Sequence, residues 1–367
     1  MKIFSIVGTR PNFIKAFPLM LILQKKCNHK IIHTGQHYDK KLSNIFFDEL
    51  KIRKPNYLVK IKNKLQTINQ IPEMVLSINN IILSDRPDVI VVYGDTSSSL
   101  AGALVANRSG IPIVHIESGL RSHDKSMPEE TNRIIIDNLS QTLICPTNTA
   151  IKNLKKENIT KNIFLHGDTN LEAIKKISSN LKKYNFLLKK FNIKKKGYIF
   201  LTIHRDFNSD NKTFLIRLFN AIKKIDYQFF FPIHPRTAKN LKKFKLKIPK
   251  NVLLSAPLGF FECIFLQKNS KIIVTDSGGL QKEAFFLKIP CVTLRPSTEW
   301  IETLKYKNNI LAHKSTEMIE NAIKYQLKTN FKNKNDNFFG KGAISKKIAT
   351  TIMKKFYEKK NSTSYWL

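Results

Sequence analysis

Long apolar runs are the first thing missing from these 367 residues. No uncharged stretch approaches the roughly 18 to 20 residues needed to cross a bilayer. The apolar part of "MKIFSIVGTRPNF" is too short for a signal peptide and runs directly into a loop-like segment. A cytoplasmic protein without membrane insertion is therefore the expectation. Cysteine is also scarce: Cys27, Cys145, Cys263 and Cys291 stand far apart, which proposes neither a zinc site nor a disulfide framework. No metal-ligand spacing, internal repeat, low-complexity linker or GxGxxG fingerprint occurs, so neither a metal nor a dinucleotide cofactor is expected.

Acidic residues are few as well, 27 against 63 lysines and arginines, for a net charge of +36. That excess invites a nucleic-acid reading, but arginine is nearly absent: 10 residues against 53 lysines. Groove and phosphate recognition draws on the bidentate arginine fork, so a specific nucleic-acid partner is not expected. The excess is lopsided. Residues 1–170 carry 23 basic and 14 acidic side chains, residues 171–367 carry 40 and 13. Runs such as "LKKFKLKIPK" read as solvated faces, with weak attraction to polyanions following from the field.

What is present is a long alternation of short apolar runs with helical patterns. "KIFSIV", "KIIHTG", "DVIVVYG", "IPIVHIE", "TLICPT", "NIFLHG", "GYIFLTIH", "YQFFFPIH", "NVLLS", "KIIVTD" and "PCVTL" are rich in β-branched residues and do not alternate with polar ones. Such strands are buried on both faces, and the helical spacing between them implies parallel βα units. The predicted fold is α/β, with two Rossmann-like domains facing a central cleft: residues 1–170, then 171–350, with 351–367 as a terminal helix returning to the first domain.

Ligands in such sheets gather at the carboxyl ends of the strands. In the first half those ends present Arg10 and Lys15 in "GTRPNFIK", Asp95 in "VVYGDTSSS", Glu117 and Arg121 in "VHIESGLRS", and Glu129 beside Glu130 in "MPEETNR". Asp95 could simply cap a helix. Of the two adjacent glutamates, one is expected in an ion pair or at a helix start and the other to act. The second half presents His204 in "LTIHRD", His234 and Arg236 in "FPIHPRT", and Ser277, Gly278 and Gly279 in "TDSGGLQKE". Small residues before a helix N-terminus form a seat for an anion, and Glu283 one turn further could reach a ribose diol. Together these point to a nucleoside diphosphate.

"GTRPNFIK", "HTGQHYD", "VYGDTSSSLAGALVA", "HIESGLRS", "MPEETNR", "PIHPRT" and "TDSGGLQKEAFF…TEWIET" resemble, in that order, the non-hydrolysing UDP-N-acetylglucosamine 2-epimerases over roughly residues 1–350. The resemblance implies the two-domain fold shared with many nucleotide-sugar glycosyltransferases (GT-B-like), a UDP-sugar substrate, and commonly a homodimer. It also implies elimination chemistry. The C2 proton is barely acidic, so a base removes it as the C1–O bond breaks; UDP then adds back to the 2-acetamidoglucal with protonation on the other face. Asp95, Glu117 and Glu129 match the family's catalytic carboxylates, and His204 joins them. Arg10, Lys15, Arg121, His234, Arg236, Ser277, Gly278, Gly279 and Glu283 fall on the substrate or UDP side. No cofactor is implied, and transient oxidation by NAD is not.

Three motifs depart from the family pattern. Asp206 and Phe207 stand in "HRDFN" where HRxEN is usual, Ser118 stands where alanine is, and Thr131 where a hydrophobic residue is. "QKEAFF" and "TEWIE" resemble the branch acting on UDP-2,3-diacetamido-2,3-dideoxyglucuronic acid as much as the UDP-GlcNAc branch. Either product would feed surface polysaccharide or lipopolysaccharide synthesis. A glycosyltransferase of the same fold is the alternative from another class.

Overall fold

The computed structural model describes residues 1–36, 50–61, 67–124, 127–332 and 337–363. The chain forms two compact units, Met1–Ala173 with Asn337–Leu367, and Ile174–Asp336.

The first unit is built on strands β1 (Lys2–Val7), β2 (Asn28–His33), β3 (Tyr57–Leu58), β4 (Val89–Tyr93), β5 (Ile113–Ile116), β6 (Thr142–Cys145) and β7 (Ile163–Leu165). They pair in parallel in the order β3-β2-β1-β4-β5-β6-β7. All five residues of β4, "VIVVY", are buried. This is the burial that an unbroken β-branched run predicts when helices cover both faces of a sheet. Phe4, Ile6, Ile90 and Val92 pack there with Ala101, Ala103 and Val105 of the helix Ser97–Arg108.

The second unit holds β8 (Tyr198–Thr202), β9 (Gln228–Pro232), β10 (Val252–Ser255), β11 (Ile272–Thr275), β12 (Cys291–Thr293) and β13 (Asn309–Leu311). Their order is β10-β9-β8-β11-β12-β13, again all parallel. Ile199, Leu201, Phe229, Phe231, Ile272 and Val274 meet Leu215, Leu218 and Ile222 of the helix Lys212–Lys223 in its core.

Each sheet is doubly wound, and in each the strand order reverses at one point: between β1 and β4, and between β8 and β11. A ligand seat is expected outside the carboxyl ends of the strands at such a switch point. Side chains cap the helices that begin there. Thr96 accepts from the Ser99 N–H and Ser277 from the Leu280 N–H, each at 3.3 Å, replacing bonds that the first turn of a helix cannot make internally.

The helix Ile344–Thr363 belongs to the first unit and packs on the helix Arg10–Lys26. Ile348 and Ile352 are fully buried. His166 Nε2 lies 2.8 Å from Thr351 Oγ1, and the Ser345 N–H donates to Glu172 Oε2 at 2.8 Å. Among the described residues no helix is long and apolar enough to cross a membrane.

Candidate functional site

At the switch point of the first unit, one buried asparagine joins the two strand ends. Asn12 Oδ1 accepts from the N–H groups of Gly8 and Thr9 and from the hydroxyl of Thr96, while its Nδ2 donates to the Tyr93 carbonyl. Arg10 opens the adjoining helix, and its side chain lies outside the described residues. One turn on, Lys15 reaches across β4 to Glu117, with Nζ 2.5 Å from Oε1. Gly94 makes that crossing possible. Its φ is +62°, and an added Cβ would come within 2.9 Å of Lys15 Nζ and 3.3 Å of Glu117 Oε1. Glu117 itself has φ +73°, a conformation a side-chain-bearing residue seldom adopts. Backbone held this way persists only when its surroundings over-determine it.

Asp95 follows Gly94 directly. Its Oδ2 accepts from Arg133 Nε at 2.9 Å and lies 2.6 Å from Arg133 Nη2. Burial pushes this carboxyl up, but Arg133 and Lys15 outweigh it and hold the group at about 2. The residue is thus an ion-paired carboxylate rather than a helix cap; the cap is Thr96.

The two adjacent glutamates differ in burial. Glu130 is the structural member: its oxygens accept from the Ser122 and His123 N–H groups at 2.9 Å each and from Arg133 Nη1 at 2.7 Å. Burial raises the Glu130 carboxyl, and those donors more than offset it, leaving it below its usual range. Glu129 stands half-buried beside it in the first turn of the helix Pro128–Leu139.

At the other switch point the organising group is Asp276, an acid in "TDSGG" that the motif reading passed over. It is fully buried and accepts from the backbone N–H groups of His204 and Arg205 and from Asn208 Nδ2, at 3.0 to 3.3 Å. His204 Nδ1 lies 3.4 Å from Asp276 Oδ1. Burial drives the Asp276 carboxyl up to about 6 against the pull of these donors. One side chain thereby joins the His204 loop to the Ser277–Gly279 turn. Thr202 and Thr275 bridge the same strand ends through their hydroxyls at 2.7 Å. The His234 ring stands 6.1 Å from that of His204, and burial followed by the Arg236 charge lowers its pKa.

Gly278 and Gly279 begin the helix Gly278–Leu287. A Cβ at Gly278 would come within 2.4 Å of Glu299 Oε1. Glu299 pairs with Arg295 at 3.0 Å, and both side chains are almost fully buried. Trp300, next in the chain, covers Lys282, whose Nζ sits 3.9 Å from the ring centroid. Glu283 is buried in the same helix, its Oε2 accepting from Gln267 Nε2 at 3.2 Å.

Two residues expected on the substrate or UDP side, Arg121 and Arg236, are bonded to protein groups. The Arg121 side chain is only 1% exposed. It donates to both oxygens of Glu157, to Asp137 Oδ2 and to the Leu120 carbonyl, so it braces the helices rather than facing a ligand. Arg236 forms a two-pronged pair with Asp210 at the surface. The departures from the family pattern are mild in place: Asp206 and Phe207 are exposed, and the buried member of "HRDFN" is Asn208, which also holds His313 at 3.0 Å. Among the described residues, no group of three or more His, Cys, Asp or Glu is arranged to hold a metal ion.

Comparisons with known proteins agree on one family. The family model for UDP-N-acetylglucosamine 2-epimerase matches residues 21–353. A UDP-N-acetylglucosamine 2-epimerase homolog of Methanococcus maripaludis is 44% identical, over 96% of this chain and 99% of its own. The UDP-2,3-diacetamido-2,3-dideoxy-D-glucuronate 2-epimerase of Pseudomonas aeruginosa is 38% identical, over 96% and 100%. The crystal structure of the Methanocaldococcus jannaschii UDP-GlcNAc 2-epimerase with UDP-GlcNAc and UDP superposes with a TM-score of 0.88 at 39% identity, covering 96% of this chain and 99% of that one. With its two parallel sheets and interleaved helices, the α/β architecture is therefore of the GT-B-like class. The chain belongs to the UDP-N-acetylglucosamine 2-epimerase family.

Proposed function

We propose that this protein inverts C2 of a UDP-linked 2-acetamido sugar, converting UDP-GlcNAc to UDP-ManNAc by elimination and re-addition of UDP. The observation that carries the reading is the Asp95, Glu117 and Lys15 cluster at the first switch point, with Asp95 held ionised by Arg133 and Glu117 in contact with a lysine. Elimination needs a base at C2 and a group to return the proton to the opposite face. Asp95, Glu117, Glu129 and His204 are the groups to which we assign that proton traffic.

Departure of UDP demands donors for a diphosphate. Arg10, Lys15, His234, Ser277 and the first-turn N–H groups at Gly278 and Gly279 fill that role, with Glu283 for the ribose. Homodimeric assembly and a place in surface-polysaccharide synthesis go with the same reading. The second substrate, UDP-2,3-diacetamido-2,3-dideoxyglucuronic acid, is kept because a relative named for it aligns over nearly the full chain.

The test is incubation of the purified protein with each nucleotide, followed by separation of products. A manno-configured UDP-sugar from one of them supports the assignment and names the substrate. Free sugar with UDP would point to a hydrolase. Unchanged nucleotide despite UDP binding would turn the assignment towards a glycosyltransferase. Asp95→Asn and Glu117→Gln should each abolish conversion.

A further inference from the structure

Asp95 and Glu117 stand on separate turns, Gly94–Asp95 after β4 and Glu117–Gly119 after β5, and one buried side-chain pair is bonded to both. His115 Nε2 lies 3.0 Å from the Gly94 carbonyl oxygen, and His115 Nδ1 lies 2.7 Å from Asp137 Oδ1. The other oxygen of Asp137 accepts from the Gly119 N–H at 3.0 Å and from Arg121 Nη1 at 2.8 Å. Both side chains of the pair have no exposure.

The partners dictate the state of the ring. A carbonyl oxygen only accepts, and Asp137, with two further N–H donors on Oδ2, is built as a carboxylate that only accepts too. Both ring nitrogens must then donate, which a neutral imidazole cannot do. A lone buried cation would be prohibitive, but here the charge faces an anion and both N–H groups are satisfied.

We propose that His115 is held as an imidazolium by Asp137 and is a positioning residue for the epimerisation, fixing the Gly94–Asp95 turn against the Glu117–Gly119 turn. Its Nε2–H anchors the peptide before Asp95. Asp137 meanwhile anchors the Ser118–Gly119 peptide, one residue beyond the strained Glu117. The distance between the two carboxylates therefore depends on one ion pair that does not touch the sugar. The role rests on the epimerase reading above; the protonation of the ring rests on hydrogen-bond geometry alone.

The experiment has two arms. The first is NMR of the full chain with 15N-labelled histidine at neutral pH, the His115 signals being those lost in His115→Gln. Both ring nitrogens carrying a proton is the expected result. One bare nitrogen, as when the shared proton resides on Asp137, overturns the clamp and leaves the epimerase reading intact. The protonation is read on the wild type, and His115→Gln serves only to assign the His115 signals. The second arm compares kinetics of His115→Gln and Asp137→Asn with wild type. Misplaced carboxylates should lower kcat about 100-fold while KM and UDP affinity hold steady. A loss of folded protein at unchanged kcat per folded molecule overturns the positioning role. A wild type that neither isomerises nor exchanges the C2 proton overturns the epimerase reading, and the positioning role with it, while the first arm still decides the ring.

Discussion

Replacing Asp276 by asparagine should separate stability from activity. The carboxyl is fully buried, and its pKa rises from 3.8 to about 6 because desolvation outweighs three hydrogen-bond donors. Between those two values the folded protein holds a proton that the unfolded chain has released. Stability from this group is complete below 3.8 and is lost as pH rises through about 6, an effect of about 3 kcal/mol. Asparagine resembles the neutral acid and never ionises. Asp276→Asn should therefore remove that pH dependence and, at neutral pH, leave the second unit as stable as wild type or more so. The same change puts an NH2 group in place of the oxygen that faces the His204 N–H and ring, and should lower kcat/KM by about tenfold or more. The assay is urea unfolding from pH 4 to pH 7.5, read by Trp300 fluorescence in a Trp366→Phe background. A variant that is strongly destabilised at neutral pH, with the wild-type slope retained between pH 4 and 6, refutes the reasoning.

Three further outcomes follow from the first unit. Asp95 is held at about 2 by Arg133 and Lys15 against burial, so its stabilisation is present above 3.8 and lost as pH falls through about 2; Arg133→Met should cost about 2 kcal/mol at neutral pH and move the acid-unfolding midpoint upward. Gly94→Ala forces a Cβ onto the Lys15–Glu117 pair at a left-handed φ, which should cost about 1 to 2 kcal/mol in thermal unfolding and lower kcat about 100-fold. Arg121→Ala breaks the buried pairing with Asp137 and should destabilise by about 3 to 5 kcal/mol. UDP affinity of its folded fraction, measured by calorimetry, should match wild type; a selective loss of UDP binding would restore Arg121 to the ligand site.

The doubly wound architecture was legible because runs such as "DVIVVYG" and "KIIVTD" are long enough to show burial on both faces. Strands β3 and β13, at the edges of their sheets, were not; it is pairing with β2 and β12 that makes them strands. The polar residues at the strand ends were readable, but what holds them was not. Arg121 looks like a phosphate contact in "SGLRS" because its partners Asp137 and Glu157 lie 16 and 36 residues away. His115 is hidden inside an apolar strand, and Asp276 stands beside the serine and glycines that drew the reading to the turn. In each case at least one partner comes from another βα unit: Glu157 for Arg121, Gly94 for His115 and His204 for Asp276. Only the folded sheet brings them together.

The most direct measurement of the central claim is proton NMR of the purified enzyme with UDP-GlcNAc in D2O, repeated with the diacetamido uronic acid nucleotide. Deuterium entering C2 together with a manno-configured UDP-sugar is the predicted result. Retention of the C2 proton with both nucleotides, by protein that binds UDP, would contradict it.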